Sequence, residues 1–344
     1  MNYLVSVVMS IFNENIEMVK KSIISIQNQT YTNLEIIVID DGCTNECKQF
    51  LNYTAKADKR IKIITHKNNV GLTQSLNEGL EIARGSFIAR MDADDISLPK
   101  RIERQVSFFK KNSDAQIVGT GVISFGKETK FFSPAFGFDH YEVNVQLLFT
   151  SSLCHPSVMI RRNFLKKNNL IYDENIKKTQ DYELWERSSC YGKLAVMSDV
   201  LLLYRVHDSQ ISQKNSDEQI RVSTMIMKRR VGRLGLRMTD ENLESHMALK
   251  GVVIASIENA EQWMNTLLES NKSRGFLNQG ELYKNLNERL TLLKFRTLKK
   301  TKSLSHSNLN LKDYVRMLVY IKKRIKMYFK LFYWKYNMRK YIDR

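Results

Sequence analysis

Acidic residues run short in one part of this sequence. Residues 221–344 carry 10 Asp+Glu against 27 Lys+Arg, whereas residues 1–220 hold 26 against 27, so the net charge of +18 belongs almost wholly to the C-terminal stretch. Cysteine is sparse as well: Cys43, Cys47, Cys154 and Cys190 form no CxxC pair, and no histidine stands at finger spacing. That excludes a zinc ribbon and a disulfide framework and leaves free thiols, as in a reducing compartment. No apolar run approaches the roughly 20 residues that a spanning helix needs. The opening residues 1–12 lack the basic stretch and small-residue cleavage site of a signal peptide and read as a buried strand. No internal repeat or low-complexity tract is evident.

Apolar residues are plentiful at 43%, enough for one large domain and a smaller one. Residues 4–10 form a β-rich apolar run, 19–27 have helical spacing, and 34–39 are a nearly continuous apolar strand. A second cycle follows, with strand at 61–65, helix at 72–82 and strand at 86–91. Repeated βα units predict an α/β fold whose mostly parallel central sheet is flanked by helices. Ser97 reads as the cap of the next helix, with Pro99 in its early turn and Ile102, Val106 and Phe109 on one face. From about residue 220 the pattern is helical with few breakers, which divides the chain into domains 1–219 and 220–344.

Ligands of open α/β sheets sit beyond the carboxyl ends of the strands. Three successive strands end there in polar side chains: Asn13 and Glu14, then Asp40 and Asp41, then Asp92, Asp94 and Asp95. Three carboxylates within four residues repel one another unless a cation or basic group joins them, and Mg²⁺ or Mn²⁺ favours oxygen ligands together with substrate phosphates. A solvated turn with a helix cap is the plainer reading of the same cluster. One of Asp40 and Asp41 would accept a hydrogen bond from a ribose or base, and the other, pointing away, would cap a helix; the sequence does not say which.

Four runs occur in order: Ser6-Val7-Val8-Met9-Ser10-Ile11-Phe12-Asn13-Glu14, Ile37-Val38-Ile39-Asp40-Asp41-Gly42, Asn69-Val70-Gly71-Leu72 and Ala89-Arg90-Met91-Asp92-Ala93-Asp94-Asp95. Together they resemble the family 2 glycosyltransferases of GT-A (Rossmann-like) fold. Gln180-Asp181-Tyr182-Glu183-Leu184-Trp185 and Tyr204-Arg205-Val206-His207-Asp208-Ser209-Gln210-Ile211-Ser212 resemble two later family segments, so the likeness spans residues 3–215. It implies an inverting, metal-dependent transfer of a hexose or N-acetylhexosamine from a nucleotide-diphosphate sugar, a UDP-sugar, so that an α-linked donor yields a β-linkage. Asp181 maps onto the catalytic base. Asp92, Asp94 and His207 map onto the metal, with a structural role open for His207. Ser10, Phe12, Asn13, Glu14, Asp40, Asp41, Asn69, Gly71, Asn77, Asp92 and Ala93 map onto the nucleotide. On the acceptor side stand His155, within His155-Pro156-Ser157-Val158, and Trp185, one turn beyond Asp181, for which core packing is the alternative. Two departures are Cys43, where serine is commoner after the glycine, and the lack of an arginine shortly before Asn77.

In the basic tail Leu311, Val315, Leu318, Ile321, Ile325, Tyr328 and Phe332 recur at helical steps, with Lys322, Lys323, Arg324, Lys326 and Lys330 between them. This basic amphipathic helix would lie on an anionic leaflet and bring the protein to a lipid-linked saccharide acceptor such as an undecaprenyl-diphosphate sugar. Docking on the protein's own core or on a second copy is the alternative. Polybasic segments also bind nucleic acid, but no helix-turn-helix, RNP or finger pattern accompanies this one, so nucleic acid is not expected as a partner. The expectation is a cytoplasmic enzyme, peripheral at the inner face of the cell membrane, in O-antigen, capsule or other surface-polysaccharide synthesis. A metal-dependent nucleotidyltransferase, which would release pyrophosphate, and a non-catalytic membrane- or nucleic-acid-binding protein are the competing readings.

Overall fold

The computed structural model describes residues 2–127, 137–207, 217–301 and 311–342; within the helices, side chains at 300, 301, 323, 324, 327, 328 and 330–340 also lie outside the described set. The chain divides into two compact units, one of residues 1–140, 151–222 and 334–344, the other of residues 141–150 and 223–333.

The first unit begins as alternating strands and helices: β1 (Val5–Ile11), α1 (Ile16–Gln27), β2 (Leu34–Asp40), α2 (Asn45–Ala57), β3 (Ile61–Thr65), α3 (Leu72–Ile82) and β4 (Phe87–Arg90). All seven residues of β2 are buried, as a strand covered on both faces requires. Asn15 caps α1 by accepting from the Glu17 amide at 2.9 Å, and Thr44 caps α2 through the Cys47 amide at 3.3 Å. Gly79 lets α3 press onto the sheet, since a Cβ there would stand 2.4 Å from Val8 Cγ1.

Next come β5 (Ile96–Ser97), α4 (Arg101–Lys111), β6 (Ala115–Gly126), α5 (His140–Gln146), β7 (Met159–Arg161), α6 (Arg162–Lys167), α7 (Gln180–Ser188) and β8 (Lys193–Val206). The sheet order is β3-β2-β1-β4-β7-β6-β8-β5. Pairing is parallel from β3 to β4, antiparallel at β4/β7, β7/β6 and β8/β5, and parallel again between β6 and β8. The half from β3 to β4 thus has the parallel build read from the sequence, and the other half is mixed.

Ser97 is not a helix cap. It pairs with Leu202 in the sheet, its amide donates to Ser25 Oγ at 3.0 Å, and its hydroxyl accepts from Gln29 Nε2 at 3.1 Å. Helix α4 starts at Arg101 instead, and its buried Ile102 amide, which has no partner within the helix, is satisfied by Gln29 Oε1 at 3.1 Å. The cap is supplied from distant sequence. Ile102, Val106 and Phe109 do form the buried face.

The second unit is helical, with most of α8 (Asp217–Gly232), then α9 (Asp240–Lys250), α10 (Ile257–Arg274), α11 (Gln279–Thr301) and the first part of α12 (Leu311–Ile342). Its core joins Leu148 and Phe149 with Trp263, Leu267, Leu286 and Leu293. No helix among the described residues is long and apolar enough to cross a membrane.

Candidate active site

Three strand ends meet at the carboxyl edge of the parallel half. The Asp41 amide donates to Ile11 O at 2.9 Å, and the Met91 amide donates to Val8 O at 3.1 Å, which holds the β1, β2 and β4 termini in register. Ser10 is half-buried near the end of β1, and Phe12 is 54% exposed. A Cβ on Gly42, where φ is +123°, would stand 3.1 Å from the Phe12 ring, so only glycine lets that ring cover the Asp41–Gly42 turn. Asn13 follows with a positive φ of 48°, and Glu14 comes next.

The two aspartates at the end of β2 have different duties. Asp40 Oδ1 accepts from the Gly42 and Cys43 amides at 3.2 and 2.8 Å, shaping its own turn. Asp41 reaches across to the loop between β3 and α3: Oδ1 accepts from the Val70 amide at 2.8 Å, and Oδ2 from the Gly71 amide at 2.9 Å and Asn69 Nδ2 at 3.1 Å. His66 adds Nδ1 at 2.8 Å from Asp41 Oδ1 and places Nε2 at 2.5 Å from Glu78 Oε2. Burial alone would lower the His66 pKa, but the hydrogen bonds to Glu78 and Asp41 raise it, and a ring between two carboxylates is an imidazolium. Gly71, at φ +94°, is the helix-entry position of α3.

Beyond β4, Asp92, Asp94 and Asp95 bring one oxygen each within 4.8 Å of one another. Basic side chains surround them. Arg90, buried in β4, is paired with Asp92; Arg205 donates from Nε to Asp94 O at 2.7 Å and from its amide to Asp95 Oδ1 at 2.9 Å. The wholly buried Arg101 donates to Arg90 O at 2.6 Å, and burial brings its pKa down to about 9. His207 Nε2 lies 2.9 Å from Asp94 Oδ2. Ser22 Oγ donates to Asp92 O at 2.8 Å, and Ala93 is a buried spacer.

This donor set fits a divalent cation. Oδ2 of the fully buried Asp95 has no hydrogen-bond partner, and Glu14 is pushed up to about 7 by burial and by the charges of Asp94 and Asp92, against the opposing effect of His207. Glu14 thus stands in the negative field of Asp94 and Asp92, which a hard cation among oxygen ligands would offset. Glu14, Asn13, Asn15, Thr44, Glu46 and His207 line a cavity of about 390 Å³.

Asp181 stands in the first turn of α7, after Thr179 in a left-handed conformation at φ 66°. Burial raises its pKa, with the Tyr182 amide and Arg90 opposing. Its charge also helps to raise Asp92, so the two carboxylates share one field. His155 Nε2 is 2.7 Å from the Tyr172 hydroxyl, and burial together with Arg90 holds the ring neutral.

Two expected contacts change. Trp185 is 0% exposed and sets its ring edge-on to His155 at 6.1 Å, so it is a core side chain supporting His155 and offers no acceptor surface. Asn77, expected at the nucleotide, has no spare amide group: its Oδ1 accepts from the Tyr172 amide, and its Nδ2 donates to Tyr172 O and Glu174 Oε1. Arg90, Arg101, Arg205, His66 and Gln29 are the residues that sequence reasoning gave no part. A basic residue inside a strand that ends in three acids was the available signal for Arg90. Positions 208–212 of the closing segment lie outside the described residues.

Comparisons with known proteins agree with this geometry. Residues 6–168 match the model of glycosyl transferase family 2. An uncharacterized glycosyltransferase of Haemophilus influenzae is 35% identical over 240 residues, covering 66% of this chain and 73% of that protein. The O-antigen biosynthesis glycosyltransferase WbnJ of Escherichia coli is 34% identical over 220 residues, covering 62% of this chain and 83% of its own. The crystal structure of S. aureus TarS residues 1–349 in complex with UDP superimposes with a TM-score of 0.56 at 17% identity, over 86% of this chain and 85% of that one; TarS has also been solved with UDP-GlcNAc. The chain belongs to glycosyl transferase family 2, with a GT-A fold, and is a glycosyltransferase. That membership sets aside the nucleotidyltransferase and non-catalytic readings.

Proposed function

We propose that this enzyme transfers a hexose or N-acetylhexosamine from a UDP-sugar, with inversion, to a hydroxyl of a lipid-diphosphate-linked saccharide at the cytoplasmic face of a membrane, as a step of surface-polysaccharide synthesis. One observation carries the reading: the acidic cluster at Asp92–Asp95 and the half-buried Asp181 share one electrostatic site beyond the strand ends. The nucleotide-bound TarS structures and the O-antigen role in the name of WbnJ support the donor and pathway classes.

Asp40, with only Oδ1 engaged by its own turn, is the better nucleotide contact of the pair, because both oxygens of Asp41 are spent on the 66–71 loop. Phe12 offers an exposed ring beside it for the uracil face. Asp94, Asp92 and His207 would hold Mn²⁺ or Mg²⁺, which when bound neutralises the diphosphate leaving group. Arg90 keeps Asp92 from swinging away. Asp181 takes the proton of the acceptor hydroxyl as it attacks the anomeric carbon; its burial strengthens it as a base at neutral pH. His155, neutral and tied to Tyr172, positions the acceptor side.

The test is nucleoside diphosphate release from a panel of nucleotide sugars with a lipid-diphosphate-sugar acceptor, with and without Mn²⁺. Asp181→Asn should lower kcat by about 10²–10⁴ with nucleotide binding retained, and Asp94→Ala should lose Mn²⁺ dependence and activity together. Unchanged release in Asp181→Asn would remove the base assignment, and release of pyrophosphate would overturn the reaction itself.

A further inference from the structure

Helix α12 holds ten basic residues and one acidic residue, Asp313. That single carboxylate is turned inward. It is buried against α11, where Lys294 Nζ approaches Oδ2 at 3.3 Å and Thr291 Oγ1 donates to Oδ1 at 3.3 Å. Tyr314 adds an edge-to-face contact with Phe295 at 6.2 Å. Buried in this way, the Asp313–Lys294 pair fixes which side of α12 meets the protein.

The opposite side is uncovered. Leu311 is 80% exposed, Leu318 65% and Phe329 74%, and Val315 and Ile325 are exposed between them. These five follow one another at steps of three, four or seven residues and so form one stripe. Lys322 and Lys326 are exposed along it; the side chains of Lys323, Arg324, Tyr328, Lys330 and Phe332 lie outside the described residues. A row of large apolar side chains is not what a free aqueous surface keeps, and the helix is too polar to cross a bilayer.

We propose that this face of α12 is a docking surface for an anionic bilayer, with Leu311, Val315, Leu318, Ile325 and Phe329 sunk to the boundary of headgroups and acyl chains and the lysines on the lipid phosphates. At about 48 Å the helix lies flat rather than spanning. Charge selects this occupant. A second copy would set Lys322 and Lys326 against their own counterparts, and a nucleic acid would leave Leu311, Leu318 and Phe329 without an apolar partner. The inference extends the proposed function by naming the element that brings the enzyme to a lipid-linked acceptor, and its test does not involve sugar transfer.

The full chain is sedimented with vesicles of phosphatidylcholine alone or mixed with phosphatidylglycerol, at low and high salt. It should pellet with the anionic vesicles only, less at high salt. Lys322→Gln with Lys326→Gln should lower partitioning about 25-fold, about fivefold for each charge, and Leu318→Glu with Ile325→Glu by more than about tenfold. UDP binding and circular dichroism, unchanged, show that the variants fold. Equal binding to neutral vesicles, no binding, or full binding by the glutamate variant overturns the proposal. So does a wild-type dimer that the glutamate variant splits, or duplex DNA retained as strongly as vesicles at the same ionic strength.

Discussion

Tyr172 and Asn77 clasp each other twice: the Tyr172 amide donates to Asn77 Oδ1 at 2.9 Å, and Asn77 Nδ2 donates to Tyr172 O at 2.9 Å. The pair ties α3 to the segment that carries the partner of His155. Asn77→Ala is therefore expected to lower stability by about 1–3 kcal/mol, seen as an earlier urea midpoint, with the donor KM changed by less than about twofold. A KM raised about tenfold at unchanged stability would return Asn77 to the nucleotide.

In the helical unit, His246 is a wedge whose protonation state is fixed by its neighbours. Trp263 Nε1 donates to Nδ1 at 3.2 Å, Nε2 donates to Leu148 O at 2.8 Å, and the ring stacks on Phe149 at 4.5 Å. Burial brings its pKa down to about 4 from 6.5. A pKa lowered on folding means that the unfolded chain binds the proton more readily, so stability is complete above pH 6.5 and is lost as pH falls toward 4, by roughly 3 kcal/mol. His246→Gln, which removes the titrating ring and keeps an amide donor for Leu148 O, should flatten this limb in urea titrations across that range; an unchanged slope would assign it elsewhere.

The first unit should hold to lower pH. Glu35 is buried, which alone would raise its pKa, yet bonds from Ser6 Oγ at 2.6 Å, the Arg84 amide at 2.7 Å and Lys62 Nζ at 3.0 Å bring it down to about 2 from 4.5. Its contribution is present above pH 4.5 and is lost as pH falls toward 2, to the extent of roughly 3 kcal/mol. Glu35→Gln should cost about that much at neutral pH and remove the acid dependence, as followed by unfolding of the sheet in circular dichroism.

Chelation should abolish transfer and Mn²⁺ restore it. With His207 2.9 Å from Asp94, His207→Ala should raise the Mn²⁺ needed for half-maximal activity by about tenfold or more. Direct Mn²⁺ titration calorimetry of the same variant separates lost affinity from lost chemistry. An unaltered affinity would leave the histidine a purely structural role.

The strand-end acids were legible because periodicity locates a strand's end, and the strand read at 61–65 and the helix at 72–82 coincide with β3 and α3. What escaped was non-local. Ser97 carries a local cap signal, but its pairing with Leu202, more than a hundred residues on, decides its conformation. Spacing put Trp185 one turn from Asp181 without saying that the intervening face is core. The antiparallel entry of β7 and β6 depends on partners and register that no single strand encodes. Arg101 could not be assigned from its neighbours in sequence, since the oxygens it serves, Arg90 O and Val158 O, come from β4 and from the residue before β7.

Asp41 binds the 66–71 loop through two backbone amides, one side-chain amide and an imidazolium. Those bonds hold the loop through contacts within the protein itself. In the proposed reaction a nucleotide then meets a preorganised seat and costs it little entropy, but a rigid seat scarcely distinguishes a nucleotide that still carries its sugar from one that has given it up. Inhibition by the released diphosphate, competitive with the donor and with a constant close to the donor's KM, is the kinetic trace such a loop leaves; a product that failed to compete would mean the loop rearranges after transfer.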